Sequence, residues 1–272
     1  MNRYGLIALS FVLMCSAYTS PVTVYSNNTA PGDLFTNPGT SNQGQAIGAT
    51  GWAYRNVRGN GQIGIRTDLP RNGNGSVWFT STGSSSKADV EFRVSFNLDP
   101  NNGTFSQAFG TLSQLDSMSY DWYRVSGGNA NSWLHPALRV FLVNPNTSQT
   151  GYLVFERAYN IGTVPVPTDQ WISDTVSGTT KLWGTGALGG IYSGYDWTLD
   201  TWKSQVGNWI IAGFSSGIGS GWGTFRGAVD TISWTINSQT ETYNFEVVPE
   251  PASLFMLGTG VASLLGWRRR KR

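Results

Sequence analysis

The clearest pattern along the chain is a strict alternation of apolar and polar residues over 88–98. The apolar set begins with Ala88 and Val90, and the polar set begins with Asp89 and Glu91. A period of two puts alternate side chains on opposite faces, so this segment predicts a strand with one buried and one solvent-facing side. Further strand-like segments lie at 76–80, 118–125, 137–144, 152–159, 209–215, 229–236 and 242–247.

Turn-forming sequences separate these segments, as in Asp-Pro-Asn-Asn-Gly at 99–103 and Asn-Pro-Asn at 144–146. Helical periodicity is weak and is confined to 199–206. Many short strands with glycine-rich connections predict an all-β fold, an antiparallel β-sandwich of the jelly-roll kind over 18–248. The stretch 18–51 has little pattern, which leaves open an ordered edge of the sandwich or a loose lead-in.

The N-terminus has the order of features found in secretory signals: the cation Arg3, an apolar run over 5–17 and then polar residues. The run is too short to cross a bilayer, so it predicts a signal peptide over 1–17 that is cleaved near Ala17. One alternative is a short buried element at the start of the domain. Another is lipoprotein processing at Cys15, for which the bulky preceding residue is a poor match.

The C-terminus has a second, membrane-directed pattern. An apolar run over 252–267 ends in a basic tip formed by Arg268, Arg269, Arg270, Lys271 and Arg272. As a helix the run would be about 24 Å long, and snorkelling arginines can cover the shortfall from a hydrocarbon core of about 30 Å. We therefore expect a single C-terminal transmembrane helix, with the tip in the cytoplasm and the residues before Pro249 outside.

Pro249, Glu250 and Pro251, the apolar run and the basic tip follow one another in a fixed order. This arrangement closely resembles the PEP-CTERM sorting signal of Gram-negative bacteria, which is handled by a membrane enzyme called exosortase. The resemblance implies export, removal of the tail, and release or transfer to the cell surface or extracellular matrix. A permanent C-terminal anchor is the alternative. A sandwich region of many PEP-CTERM proteins, which carries no assigned reaction, is similar to 120–124, 135–139 and 219–246.

Composition narrows the function classes. Charged residues make up 12% of the chain and aromatic residues 13%, with 34 glycines, which disfavours both a disordered chain and a helical bundle. One Cys and one His exclude a disulfide framework, a Cys/His zinc cluster and a His-Glu-x-x-His metalloprotease site within the chain. We expect no cofactor; the turn at Asp99 offers oxygen atoms for Ca²⁺, although a tight hairpin turn explains the same residues.

The distribution of charge changes the meaning of the net charge. The chain has 18 basic and 16 acidic residues, a formal net charge of +2 at pH 7. Arg3 and the basic tip account for six of the basic residues, so 18–252 holds 12 basic against 16 acidic residues, a net charge of −4. Nucleic-acid binding requires a basic field and is therefore not expected.

Two catalytic patterns fit the sequence poorly. Gly-Phe-Ser-Ser-Gly over 213–217 matches the Gly-x-Ser-x-Gly nucleophile motif, but a glycine-rich stretch follows where a helix is needed, and His135 precedes Ser215. The Glu-x-Asp-x-x-Glu motif of laminarinase-like glycosidases is absent, and acidic residues on half-exposed strands are usually solvated. Glycoside hydrolysis needs two carboxylates, for which the candidates are Glu91, Glu156, Asp196, Asp200 and Asp230.

Aromatic residues near turns and polar neighbours are the remaining candidates for a binding site. An exposed Trp or Tyr ring can stack on the C–H face of a sugar while polar neighbours bind the hydroxyls. The alternative is that these rings fill the space between the two sheets. The candidates are Trp122, Tyr123, Trp133, Tyr195, Trp197 and Trp222.

Together these patterns predict a non-enzymatic, exported sandwich protein that is sorted to the cell surface or the exopolysaccharide matrix. There it would be a structural, adhesive or glycan-binding component of a biofilm. Its expected partners are the export machinery, an exosortase-type enzyme and an exopolysaccharide. The alternative is a secreted carbohydrate-active enzyme that uses a carboxylate pair on the sandwich.

Overall fold

The computed structural model describes residues 20–94 and 108–250, which form two β-sheets and a few short helices. Sheet A has the neighbour order β1 (Val22–Thr29), β16 (Gln239–Val248), β15 (Thr224–Ile236), β6 (Ser76–Thr82), β5 (Gly61–Arg66) and β2 (Phe35–Asn37). β6 pairs with the first half of β15 and β16 with its second half, and along the opposite edge of β15 sheet A continues with β9 (Leu115–Arg124) and β12 (Trp171–Val176).

Sheet B has the neighbour order β13 (Trp183–Gly184), β11 (Thr150–Phe155), β10 (Ala137–Val143), β14 (Ile210–Ile218), β7 (Lys87–Arg93), β4 (Trp52–Arg58) and β3 (Gln43–Ala46). A short strand, β8 (Gly110–Thr111), pairs with one end of β14. The helices are α1 (Ala158–Ile161), α2 (Ala187–Ile191) and α3 (Leu199–Val206), with a 3-10 turn at Leu112–Gln114. Among the described strands, β1 and β16 pair in parallel and the other neighbours are antiparallel.

Aromatic ring pairs join the inner faces of the two sheets. Trp52 on β4 meets Phe245 on β16 edge to face, with the ring centroids 4.9 Å apart. Phe214 on β14 stacks on Trp234 on β15, with the centroids 4.2 Å apart. All four side chains are buried, and such pairs add about 0.5–1.5 kcal/mol each to the gain from burial. The predicted all-β, two-sheet sandwich is confirmed, and aromatic side chains fill much of its interior.

Helix α3 confirms the weak helical periodicity in the sequence. The Thr198 hydroxyl caps its N-terminus by accepting the backbone N–H of Thr201 at 3.2 Å. Leu199, Trp202 and Val206 are buried on one face of the helix. An apolar stripe at this spacing is what a helix packed against a sandwich requires.

Strand β7 differs from the prediction on its outer side. Its apolar residues face the core, as the alternation predicts, but Asp89 and Glu91 are 2% and 0% exposed. Long side chains from other strands of the sheet, Arg55 on the adjacent β4 and Arg139 on β10, cover this part of sheet B and pair with the carboxylates. The prediction of a solvent-facing side is therefore wrong. Residues 95–98 of the predicted strand lie outside the described residues.

The stretch 18–51, which the sequence left open, contains three strands. β1 pairs with β16, β2 with β5, and β3 with β4. The Asp33 side chain is 1% exposed and accepts hydrogen bonds from the backbone N–H groups of Asn27 and Asn28 and from the Tyr54 hydroxyl. These bonds attach the turn after β1 to the core of the sandwich.

Several predicted features lie outside the described residues: the signal peptide with its cleavage near Ala17, the turn at Asp99, Pro251, the apolar run 252–267 and the basic tip 268–272. Over 20–94 and 108–250, none of the helices has both the length and the apolar character needed to span a membrane.

Candidate functional site

A cavity of about 370 Å³ opens on the outer face of sheet B. The strand residues that line it alternate with core residues, as Asp89 does with Val90 and Arg139 with Val140. Ligand sites in proteins commonly have volumes of about 300–1,000 Å³. The aromatic and charged side chains of the lining are Lys87, Asp89, Arg139, Tyr152, Glu156, Trp183 and Trp222.

Asp89 is the centre of one group of polar contacts at the cavity. Its Oδ1 accepts a hydrogen bond from Arg139 Nη1 at 2.6 Å, and its Oδ2 accepts one from Asn56 Nδ2 at 2.8 Å. The Lys87 ammonium lies 3.6 Å from Oδ2. Both carboxylate oxygens therefore have partners, which offsets the cost of burying the charge.

Glu91, two residues along the same face of β7, has a similar environment. Its Oε1 lies 2.8 Å from Arg93 Nε and 3.2 Å from Arg55 Nε, and its Oε2 accepts the Tyr152 hydroxyl at 2.6 Å. Arg93 Nη2 in turn donates to the Tyr152 oxygen at 2.7 Å. Burial raises the pKa of Tyr152, and the Glu91 charge raises it further, so the phenol remains a neutral donor.

Glu156, directly after β11, lines the same cavity as Asp89. Burial raises the pKa of its carboxyl above the ordinary value of 4.5, and the charge of Arg139 offsets part of the rise. The cavity thus holds one cation-paired carboxylate and one carboxyl group that binds a proton more readily.

Aromatic surface continues from the cavity onto the exposed face of the protein. Tyr152, Trp183 and Trp222 line the cavity. Outside it, Tyr195 is 48% exposed, and its ring stacks on that of Tyr159 with the centroids 4.2 Å apart. The ring centroid of Tyr195 lies 6.0 Å from that of Trp183.

Two of the predicted glycan-binding residues have clear-cut positions. Trp222 lines the cavity, although it is only 8% exposed and packs edge to face on Phe225. Trp122 is 0% exposed, stacks on His135 and donates from Nε1 to Asp174 at 2.7 Å. Trp122 faces the core because residues alternate along β9, so its polar neighbour Asp121 points to the opposite face. A buried ring offers no face to a sugar, and the assignment of Trp122 is corrected to a core residue.

Tyr123, Trp197 and Trp133 are half-buried and are not part of the cavity lining, whereas the candidate Tyr195 is exposed beside it. Tyr123 meets Trp171 edge on, with the centroids 5.6 Å apart. Trp197 stacks on Tyr192, with the centroids 4.1 Å apart. Trp133 lies in a turn before β10.

Tyr152 and Trp183 are cavity residues that the sequence analysis missed. Tyr152 lies on a predicted strand, where alternation with Leu153 could have assigned it to the outer face. Trp183 lies on β13, whose two residues are too few to show a pattern, and it reaches the cavity because it pairs with Val154.

The Gly-x-Ser-x-Gly stretch is part of strand β14 rather than a nucleophile turn. Ser215 is 1% exposed, and its hydroxyl has no hydrogen-bond partner among the described residues. His135 is also buried: its Nε2 accepts the backbone N–H of Arg157 at 3.0 Å, and its Nδ1 lies 2.9 Å from the Pro136 carbonyl oxygen. Burial lowers the pKa of His135 to about 3, so the imidazole is neutral. Ser215 and His135 do not form a catalytic pair.

The five carboxylates considered for hydrolysis are spread over the molecule. Glu91 and Glu156 lie at the outer face of sheet B. Asp230 is buried in sheet A, Asp196 accepts a hydrogen bond from a tyrosine hydroxyl, and Asp200 is exposed in the first turn of α3. The cavity therefore brings together Glu156 and Asp89, and the latter was not among the candidates from sequence.

Within 20–94 and 108–250, no group of three or more His, Cys, Asp and Glu side chains is placed to hold a metal ion. The turn at Asp99, considered for Ca²⁺, lies outside these ranges and stays a prediction.

The last strand leads directly into the sorting segment. β16 ends at Val248, whose N–H donates to the Ser26 hydroxyl at 2.9 Å, and Pro249 and Glu250 follow as exposed residues. Residues 247–271 match the family model of the PEP-CTERM protein-sorting motif, which confirms the resemblance. The motif marks the protein for export and for membrane-associated sorting to the cell surface by exosortase-type machinery.

Solved structures with a similar chain path include a family 11 carbohydrate-binding module of the cellulosomal cellulase Lic26A-Cel5E of Clostridium thermocellum (9% identity, 71% of this chain and 85% of that chain, TM-score 0.37). A multiple mutant of the ENZbleach xylanase is 8% identical over 79% of this chain and 91% of that chain, with a TM-score of 0.39. An exo-β-agarase is 13% identical over 72% of this chain and 24% of that chain, with a TM-score of 0.36. Likenesses with such low scores carry no inference about function. No curated protein matches the sequence.

Proposed function

We propose that the protein is a glycan-binding component of the cell surface or of an exopolysaccharide matrix, and that the cavity on sheet B is its binding site. The observation that carries the proposal is the lining of this cavity, in which the partly exposed rings of Tyr152 and Trp183 stand beside oriented charged groups. Sugars are bound by this combination, because aromatic rings stack on their C–H faces and polar groups bind their hydroxyls. The PEP-CTERM motif supports an extracellular ligand.

The polar groups of the cavity are held in place before a ligand arrives. Arg139 donates to Asp89 at 2.6 Å, and the Tyr152 hydroxyl is fixed between Glu91 and Arg93. A sugar hydroxyl would therefore meet groups whose side-chain entropy has already been lost. Preorganisation of this kind improves affinity, because less ordering takes place on binding.

Retention of the full-length protein on immobilised bacterial polysaccharides, including the exopolysaccharide of the producing cells, tests the proposal. We expect retention on at least one polysaccharide and a roughly three- to tenfold loss of affinity in Trp183→Ala, since a good aromatic contact contributes about 0.5–1.5 kcal/mol. Trp78→Ala, which removes a half-buried ring from β6 in sheet A, is the matched control. Absence of retention on every polysaccharide, or equal losses in the two variants, would overturn the proposal.

Hydrolysis of the bound glycan is a second candidate function, favoured by the pair of carboxyl groups in the cavity. Glu156 has a raised pKa, as a general acid requires, while Asp89 is paired with Arg139, as an ionised partner requires. We expect Glu156→Gln to abolish release of reducing ends while binding persists, with the exposed Glu241→Gln as control. If the full-length protein releases no reducing ends from a polysaccharide that it binds, this candidate is rejected.

We also propose that 252–267 crosses the inner membrane in the precursor and that the tail is removed after export. The support is the match to the sorting motif and the basic tip that follows the apolar run. Mass spectrometry of the exported protein should find a C-terminus near Pro249. Recovery of the exported protein with Arg272 intact would contradict this proposal and favour a permanent anchor.

A further inference from the structure

Tyr195 and Tyr159 form a flat aromatic surface, the Tyr195 platform, beside the cavity. Their rings are nearly parallel, with an interplanar angle of 14° and the centroids 4.2 Å apart. Tyr159 covers one side of the Tyr195 ring, and the Tyr195 side chain remains 48% exposed. A tyrosine held in this way is a preorganised contact surface, because it has few torsion angles and the stacking already fixes them.

Two contacts join the Tyr195 platform to the cavity. The Tyr195 ring lies 6.0 Å from that of Trp183, which lines the cavity. Tyr159 lies in α1, just after the cavity residue Glu156. Burial raises the pKa of Tyr159 to about 12, with further contributions from Glu156 and Tyr195, so its hydroxyl remains protonated at neutral pH.

The relative tilt of the rings shows how a ligand would use them. The planes of Trp183 and Tyr195 meet at 57°. Two rings at this angle cannot both stack on one flat sugar ring, so each of them would contact a different sugar.

We propose that the Tyr195 platform is a second sugar-binding position, so that the site takes several linked pyranose rings of a polysaccharide rather than a single sugar. This inference rests on the proposed function, because it extends the same site. One sugar lies in the cavity against Trp183, and the next one along the polymer stacks on the exposed side of Tyr195.

Titration calorimetry with exopolysaccharide from the producing cells, cut into fragments and fractionated by length, tests the inference. The full-length protein should bind a hexasaccharide more tightly than a disaccharide. Tyr195→Ala should lower hexasaccharide affinity roughly three- to tenfold and leave disaccharide affinity unchanged, because the short fragment occupies the cavity alone.

Two further variants make the test specific. Tyr195→Phe keeps the ring and should keep the gain in affinity with fragment length. Tyr25→Ala removes a ring that is 46% exposed on β1 in the other sheet and should change neither affinity. Thermal unfolding of each variant establishes that the fold is retained.

Each negative result of the calorimetry has a different meaning for the two proposals. If fragments bind but Tyr195→Ala leaves the dependence on length unchanged, the second position is overturned and the cavity proposal stands. If Tyr195→Ala and Tyr25→Ala cause equal losses, the platform is likewise overturned. If neither the disaccharide nor the hexasaccharide binds, the second position is overturned, and the cavity proposal falls only if the protein is also retained on none of the other polysaccharides.

Discussion

Buried carboxylates occur in both sheets, and Asp230 in sheet A has surroundings opposite to those of Asp89 and Glu91 in sheet B. In sheet B, Asp89 lies 2.6 Å from Arg139 Nη1 and Glu91 lies 2.8 Å from Arg93 Nε. In sheet A, Asp230 is 0% exposed; its Oδ1 accepts the backbone N–H of Phe245 at 2.9 Å, and its Oδ2 has no partner among the described residues. Asp230 is thus held by the backbone, whereas Asp89 and Glu91 pair with arginines, as Asp121 in sheet A also does with Arg71 at 2.9 Å.

The surroundings of Asp230 change the pH at which its carboxyl group takes up a proton. Burial raises the pKa of Asp230 to about 7, and the nearby charges of Glu246 and Asp121 add to the rise. Asp230 is therefore largely uncharged below neutral pH and acts as a structural acceptor. Asp89 and Glu91 differ from Asp230 in that arginine side chains lie within 2.8 Å of each carboxylate.

The largest loss of stability should come from breaking the ion pair between Arg139 and Asp89 in sheet B. Arg139→Ala leaves the Asp89 carboxylate buried without its closest cation, and we expect the free energy of unfolding to fall by about 3–5 kcal/mol. Urea denaturation measures this loss. Adding Asp89→Asn should restore part of it, because the uncompensated charge is then gone. A loss below about 1 kcal/mol would show that the pair contributes no more than a surface contact.

Asp230→Asn should have an intermediate effect on the free energy of unfolding, and at pH 8 it should raise this free energy. The pKa of Asp230 is raised in the fold to about 7, so its favourable contribution is fully present below the unfolded value of 3.8 and is lost as the pH rises through 7. The variant should therefore be the more stable protein at pH 8, with an advantage that grows by about 1.4 kcal/mol per pH unit at most between these two values. Denaturation of both proteins across this pH range measures the difference.

The difference between the two proteins is the informative quantity, because His135 contributes a slope of its own. Its pKa is lowered by burial to about 3 from 6.5, so stability falls as the pH drops below 6.5 in both proteins alike. This contribution cancels when the variant is compared with the parent. If the difference in unfolding free energy between the two proteins does not change with pH, the pKa of Asp230 is not raised in the fold.

The smallest change in the free energy of unfolding should come from breaking an exposed ion pair. Arg66 Nε lies 2.6 Å from Asp68 Oδ2, a distance like that of the Arg139–Asp89 pair, but the Asp68 side chain is 41% exposed. We expect Asp68→Asn to change the free energy of unfolding by less than about 1 kcal/mol and to leave glycan retention unchanged. A loss as large as that of Arg139→Ala would mean that distance, rather than burial, sets the strength of these pairs.

Half of the described strands were predicted from sequence, because period-two alternation is a local signal, whereas β1 to β5, β8, β12 and β13 were not. The alternation over 88–98 correctly assigns the inner face of β7, and the weak periodicity over 199–206 corresponds to α3. The burial of Asp89 was not predictable, since it depends on Arg139, a residue from β10 that sheet pairing alone brings close.

Only part of the site was predictable, because the positions of its residues depend on sheet pairing as well as on the local sequence. Trp222 was identified from its position near a turn, and it does line the cavity. Trp122 was misassigned because polar neighbours in sequence suggest exposure, whereas in a strand the adjacent residues point to the opposite face. Trp183 was missed because β13 has only two residues, and the local sequence does not show that Trp183 lies beside Val154 on β11.

The junction between β16 and Pro249 has a mechanical consequence. No spacer separates the sorting motif from the sheet, since β16 runs to Val248 and is flanked by β1 and β15. A pull on the C-terminal end is therefore directed along β16, whose C-terminal half pairs with β1 and whose N-terminal half pairs with β15. A sandwich held at a surface by this end would carry tension as shear along β16, first through its pairing with β1.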